Sequence, residues 1–303
     1  MVEIVGLDMG TYNIKCVSNY DEFIIRSVYS ENTKFNIRSK NIIEYDNKKY
    51  QIGVGKLDTE IVKAYRKNTL PLFLYALGNS VPDKSKIKLI MGLPSFQLES
   101  DEQIQEIKDK FIGNFNFKMN GDKREFTVLD MMIYPEGMGA YYCIEQDLSN
   151  KDIILIDIGG STFNVLLFKN NEFIKAKSLP FGSMNLIDKL HSRILSLHGG
   201  RHTIDDVANY IQRGRVGKTN DTMTYIKELA KPYVDELMSL LTLEYPIKDA
   251  DYFLTGGGVT LFADALIEQL GDIDMLSDYI FANAKGNKMI GDVVYGETNS
   301  VEF

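Results

Sequence analysis

The chain has 303 residues, 44% of them hydrophobic and 25% charged, which excludes a disordered, collagen-like or disulfide-scaffold protein and leaves room for about two compact units. Its net charge of −8 supplies no overall positive field for phosphate backbones or anionic lipid, so neither direct nucleic-acid binding nor membrane attachment is expected. Residues 264–303 hold eight acids against two bases, an acidic end that reads as solvated surface. The two cysteines, Cys16 and Cys143, form no C-x-x-C pair and read as thiols among apolar or helical neighbours in a reducing cytoplasm. No apolar run approaches the length of about 18 residues needed to span a bilayer. The N-terminus enters a strand with neither basic flank nor cleavage site, so a cytoplasmic location is expected.

In chain order, Val2 to Leu7, Tyr12 to Ser18 and Glu22 to Tyr29 predict a three-strand meander, and Ile42 to Ile52 a hairpin turning at Asp46-Asn47. A helix is expected from Thr69 to Leu77, then a buried strand, Ile87 to Met91. The stretch Leu98 to Phe111 has Ile104, Ile107 and Phe111 at helical spacing and acids in its first turn. Phe115 to Met119 and Phe126 to Ile133 form a second hairpin around Asn120-Gly121, and Pro135-Glu136-Gly-Met-Gly-Ala140 reads as the opening of a helix. The second half predicts strands at Ile153 to Ile156, Asn164 to Phe168 and Phe173 to Leu179. Helices at Met184 to Leu197, Ile204 to Arg213 and Asp221 to Leu243 follow, then a strand, Tyr252 to Leu254, before Gly256-Gly257-Gly258. Asn283-Ala-Lys-Gly286 reads as a helix N-cap with an early glycine. Strands followed by helices, twice over, argue for an α/β protein with two mixed sheets.

A weak internal repeat organises this pattern. Residues 4 to 14 read I-V-G-L-D-M-G-T-Y-N-I and residues 153 to 165 read I-I-L-I-D-I-G-G-S-T-F-N-V. Asp8 and Asp157 stand 149 positions apart, about half the chain, as expected if two similarly built units each begin with the same hairpin; the alternative is that two strand-turn-strand hairpins look alike by chance. In the turns, Gly10 and Thr11, and Gly159, Gly160, Ser161 and Thr162, are residue types that let backbone N–H groups and hydroxyls approach a phosphate. Lys15 adds a point charge on the strand leaving the first turn. The carboxylates of Asp8 and Asp157 are candidates to hold the waters of a Mg²⁺ ion. The triple glycine serves either anion binding at a helix N-terminus or a tight strand-to-helix turn. His191, His198 and His202 lack the carboxylate or cysteine spacing of a metal site and read as a helix face ending at a glycine cap. Arg213, Arg215 and Lys218 read as solvent-facing.

Five motifs occur in one order: Asp-x-Gly-Thr, Pro-Glu-x-x-x-Ala, Asp-x-Gly-Gly-Ser-Thr, Gly-Gly-Gly and Asn-Ala-Lys-Gly. The set resembles the actin, DnaK-type chaperone and sugar-kinase superfamily over nearly the whole chain. Within it, the opening Asp-x-Gly-Thr-x-Asn-Ile-Lys, Glu136 and Asn-Ala-Lys-Gly are most similar to the bacterial plasmid-segregation actins of the ParM or StbA group. The resemblance implies an actin-like ATPase fold of two related lobes with mixed sheets around a nucleotide cleft. Lobe I would be 1–147 completed by a C-terminal helix at about 283–303, and lobe II 148–282. It further implies ATP, with GTP left open, bound with Mg²⁺. Asp8 and Asp157 would hold the metal through water, and Gly10, Thr11, Lys15 and Gly159 to Thr162 would contact the phosphates. Gly256 to Gly258 would take the adenosine, and Glu136 with Asp157 would place the attacking water. Slow hydrolysis promoted by head-to-tail assembly into filaments, and DNA movement through a DNA-bound adaptor of the ParR type, complete the expectation. A sugar or small-molecule kinase and an MreB- or FtsA-like scaffold are the alternatives. Residues 23 to 67 match no motif, and Asn287 stands where a more apolar residue is expected.

Overall fold

The computed structural model describes residues 2–31, 40–58, 60–67, 69–218 and 222–298, so Asp221 and the acidic terminus after Thr298 lie outside it. The described residues form two compact units, Met1–Glu145 with Ile280–Phe303, and Gln146–Tyr279. The division falls a few residues from the expected one. Gln146 donates to Asp274 inside the second unit, and Cys143 donates to the Ala282 carbonyl inside the first.

In the first unit, β1 (Val2–Met9), β2 (Asn13–Val17) and β3 (Glu22–Arg26) form the expected antiparallel meander. The predicted third strand breaks at Ser27, whose N–H donates to the Tyr12 carbonyl and whose hydroxyl donates to the Gly10 carbonyl. The chain is thereby tied to the β1–β2 turn, and β4 (Val28–Ser30) pairs elsewhere, with β6 (Lys48–Ile52) and β7 (Lys56–Leu57). β5 (Ile42–Tyr45) and β6 join through Asp46 and Asn47, both at positive φ, as a two-residue hairpin turn demands. A 3₁₀ turn (Lys63–Tyr65) precedes α1 (Thr69–Ser80) and β8 (Ser85–Leu93). After the single-turn α2 (Ser95–Leu98), Ser100 caps α3 (Asp101–Phe111) by accepting from the Gln103 N–H. β9 (Gly113–Met119) and β10 (Asp122–Pro135) complete a sheet with the order β3-β2-β1-β8-β10-β9-β5-β6-β4-β7 among the described residues. Its core centres on Phe73, stacked on Phe111 at 4.2 Å with Phe115 and Phe126 edge-on.

β10 runs further than expected. Its parallel ladder with β8 continues to Pro135 opposite Leu93, and the Glu136 N–H donates to the Leu93 carbonyl. Pro135 therefore ends a strand rather than opening a helix, and Glu136 is not a first-turn acid. The helix that follows, α4 (Met138–Tyr141), is one turn long and starts after Gly137 at φ 94°.

The second unit has β11 (Asp152–Ile158), β12 (Phe163–Lys169) and β13 (Glu172–Leu179) as an antiparallel meander. Helices α5 (Ser183–His198), α6 (Ile204–Arg213) and α7 (Thr222–Glu244) follow. β14 (Ala250–Thr255) lies parallel to β11, then come α8 (Val259–Leu270) and the short β15 (Asp274–Met275). Phe163, edge-on to Phe262 at 4.7 Å, anchors this core.

The chain then returns to the first unit as α9 (Ala282–Thr298), which begins one residue before Asn283, so Asn283 lies in its first turn and is not the cap. α9 packs on β1, β8 and α4, and glycines lie where it crosses them. A Cβ on Gly286 would lie 1.7 Å from the Gly139 carbonyl oxygen, one on Gly6 2.0 Å from the Ala284 carbonyl oxygen, and one on Gly291 2.2 Å from Ile90 Cδ1. Asn287, unexpected by its polarity, is buried there and donates from Nδ2 to the Leu7 carbonyl at 3.0 Å.

Two outcomes are expected. Gly286→Ala should lower the unfolding free energy by about 3 kcal/mol, because the clash is with backbone and no rotamer relieves it. Gly296→Ala, on the same helix with nothing within 4 Å of the new Cβ, should raise it by about 1 kcal/mol through helix propensity. Urea unfolding measures both; equal effects would contradict the packing. For the thiols, burial pushes Cys16 up to about 12, so at pH 8 it carries almost no thiolate. A thiol reagent should label only Cys143 in the native chain and both cysteines in denaturant.

Candidate functional site

In the first unit, the register of β1 and β2 sets Asp8 opposite Lys15. Lys15 Nζ lies 2.7 Å from Asp8 Oδ2, with both side chains about one-tenth exposed (10% and 12%). The ammonium that sequence reading aimed at phosphates thus already neutralises the carboxylate beside the turn. Gly10 makes the turn possible, since a Cβ there would sit 2.5 Å from the Asn13 carbonyl oxygen. Thr11 is buried, and its hydroxyl accepts from Arg66 Nη2 at 2.9 Å. Arg66 also donates from Nε to the Glu60 carbonyl at 2.6 Å. Burial pushes its guanidinium below the usual arginine value, while Glu136, Asp58 and Glu60 oppose the shift.

Glu136 sits at the end of β10, above Gly92 of β8, where a Cβ would come within 3.1 Å of the Glu136 Cα. Its Oε1 forms an ion pair with Lys63 Nζ, which donates as well to the Gly92 carbonyl at 3.2 Å. Lys63 is buried, and its backbone N–H donates to Gln97 Oε1 at 3.0 Å. The structure therefore gathers Asp8, Gly10, Thr11 and Lys15 on one hairpin and fastens Glu136 to a lysine 73 positions away in the chain.

The second unit repeats the hairpin with a change of partner. Asp157, buried, faces Asn164 across β11 and β12, and Asn164 Nδ2 donates to Asp157 Oδ2 at 3.3 Å and to Thr162 Oγ1 at 3.4 Å. Ser178 in turn donates to Asn164 Oδ1 at 2.6 Å. In both hairpins the residue seven positions after the aspartate is its cross-strand neighbour and touches its carboxylate. The Gly159 N–H donates to the Thr162 carbonyl, while the carbonyls of Gly159 and Gly160 accept from Ser183 and Met184 at the start of α5. Ser161 is half-buried and Thr162 buried.

The triple glycine joins β14 to α8 against this loop. Gly256, at φ 93°, would place a Cβ 2.4 Å from Asp157 Oδ1. Its N–H donates to the Tyr279 carbonyl, and that of Gly258 to the Ile158 carbonyl. Gly257 is exposed, with nothing within 4 Å of its Cβ position. Both earlier readings of the triplet thus have a residue: Gly256 and Gly258 make a tight turn, and Gly257 offers open backbone at a helix N-terminus. Arg213, Arg215 and Lys218 are exposed, as expected. His202 bonds Tyr210 and the Gly199 carbonyl, and His191 the His202 carbonyl, in keeping with a helix end. Among the described residues no group of three or more His, Cys, Asp or Glu could hold a metal ion. The carboxylates of Asp8 and Asp157, each beside a turn, are of the type that holds Mg²⁺ through water.

Sequence reading missed Lys63 and Arg66, which lie in the stretch without a motif. It passed over Asn164 although the repeat contains it. Two substitutions separate the roles of the glycines. Gly256→Ala should destabilise the chain by about 2 kcal/mol through positive φ and collision with Asp157, and Gly257→Ala by less than about 0.5 kcal/mol. Thermal unfolding measures both, and equal losses would contradict the arrangement.

Residues 6–139 match the family model described as "Actin like proteins N terminal domain". No curated protein matches. The archaeal actin homolog Ta0583 superposes with a TM-score of 0.78 at 22% identity, covering 97% of this chain and 100% of its own. Its complex with ADP gives a TM-score of 0.77 at 21% identity, with the same coverage. A 15-stranded ParM filament from Clostridium botulinum gives 0.76 at 18% identity, covering 96% of this chain and 99% of the other. The chain has the actin-like fold. No helix among the described residues is long and apolar enough to cross a membrane.

Proposed function

We propose that this chain is a Mg-dependent nucleoside triphosphatase that polymerises head to tail into filaments whose lifetime is limited by hydrolysis. The observation that carries the reading is the duplicated hairpin: two aspartates, each held by its cross-strand neighbour beside a turn of glycine and hydroxyl residues. The actin-like fold, the ADP complex of the archaeal neighbour and the filament of the botulinum neighbour support it.

In this proposal Thr11, Lys15 and the loop from Gly159 to Thr162 contact the phosphates of ATP, or of GTP. Lys15 exchanges part of its bond with Asp8 for a phosphate oxygen. Asp8 and Asp157 would hold Mg²⁺ through water, where it would neutralise phosphate charge. The open backbone at Gly257 takes the nucleoside side of the ligand. Glu136, with Asp157, orients the attacking water; phosphoryl transfer depends on such positioning and electrostatics more than on covalent chemistry. A contact that joins unlike faces of successive subunits does not close on itself and grows a helical polymer. Nucleotide state then biases subunits between shapes of different self-affinity. Moving plasmid DNA through a DNA-bound adaptor of the ParR type is the cellular role proposed. The net charge of −8 favours an adaptor over direct DNA contact.

Light scattering with parallel phosphate release, after Mg-ATP, Mg-GTP or Mg-ADP is added, tests the reading. A triphosphate-dependent rise that decays as phosphate appears is expected. No rise at any concentration, with hydrolysis only in the presence of a small-molecule acceptor, would favour a kinase. Glu136→Ala should bind nucleotide normally but release phosphate at least about a hundredfold more slowly and leave filaments long-lived. Unchanged turnover would remove Glu136 from its role.

A further inference from the structure

Lys63 and Arg66 are buried cations three positions apart in a segment that carries no motif. A buried charge is tolerated only with a defined partner, because desolvation costs several kcal/mol. The partners are two of the residues of this unit that the proposed reaction uses, Glu136 for water placement and Thr11 for phosphate contact. Lys63 holds Glu136, and Arg66 holds the hydroxyl of Thr11.

The turn that carries both cations is pinned along its length. The Lys63 N–H and the Ile61 carbonyl both bond the Gln97 side-chain amide. The Arg66 N–H donates to the Lys63 carbonyl, and the Thr69 hydroxyl to the Arg66 carbonyl at 2.8 Å. Lys110 donates to the Ala64 carbonyl between them. These bonds tie Lys63 and Arg66 into one turn.

We propose that this turn is a coupling element: Arg66 senses the position of Thr11 in the first phosphate loop, and Lys63 sets the position of Glu136 accordingly. Both are positioning residues, and the inference rests on the nucleotide-hydrolysis reading above. Arrival of a phosphate at Thr11 shifts the hydroxyl that Arg66 grips, and the rigid turn passes the shift to the glutamate. Hydrolysis is then tied to correct seating of the nucleotide in the first loop.

The test uses the full chain at concentrations that give no light scattering. Equilibrium binding of Mg-ATP and single-turnover phosphate release at saturating nucleotide are measured for wild type, Lys63→Met, Arg66→Met, the double variant and Thr11→Val. Lys63→Met should slow release about tenfold and leave the Kd within about twofold. Arg66→Met and Thr11→Val should weaken binding and also slow release from the saturated protein by about threefold or more. The double variant should release phosphate no more slowly than Lys63→Met, since coupled residues are not additive. Thr11→Val keeps the side-chain shape and gives a result even where the buried methionines prevent folding. If Arg66→Met and Thr11→Val change the Kd but leave saturated release at the wild-type rate, the coupling is wrong while the hydrolysis reading stands. If wild type neither binds nor hydrolyses Mg-ATP or Mg-GTP, the reading itself fails and the coupling with it.

Discussion

The first unit depends on a helix that rests on backbone. α9 reaches β1, β8 and α4 only because Gly6, Gly139, Gly286 and Gly291 present no side chain where it crosses. Contact this close leaves no slack, and it fixes β1, the strand that carries Asp8. Asn287 shows what the approach requires: the Leu7 carbonyl, one residue before Asp8, is buried under the helix and takes its hydrogen bond from that side chain. An apolar residue at 287 would leave the carbonyl without this donor, so the polar choice follows from the packing.

Each unit gives its aspartate a cross-strand partner. Asp8 is balanced by an ammonium and Asp157 by a neutral amide, so the two hairpins share geometry but differ in electrostatics. Lys15 neutralises the Asp8 carboxylate. Asn164 cannot do this for Asp157, but it ties that carboxylate to Thr162 of the neighbouring turn. Lys63 and Arg66 complete the first unit's network from a segment remote in sequence. Buried polar groups satisfied in this way are held in place.

Much of this was legible in the sequence because it is local. Two-residue turns such as Asp46-Asn47 and Asn120-Gly121 mark their own hairpins, and the spacing from Asp8 to Lys15 and from Asp157 to Asn164 already contains the cross-strand pairing. The errors arose where distant partners decide. Pro135 looks like helix punctuation until β8 extends the ladder to meet it, and Asn283 looks like a cap until α9 starts a residue earlier. Glu22 to Tyr29 looks continuous until Ser27 is bound to the β1–β2 turn. Lys63 and Arg66 were invisible for the same reason: a buried pair separated by 73 residues, and a contact separated by 55, leave no periodicity to read.

The proposed function makes Asp8 and Asp157 each necessary for nucleotide binding. Calorimetric titration of Mg-ADP into wild type, Asp8→Ala and Asp157→Ala tests it most directly. The account predicts saturable one-to-one binding by wild type that either substitution weakens by at least about tenfold while the fold persists. Binding unchanged by one of the two substitutions, or no binding by wild type, would contradict it.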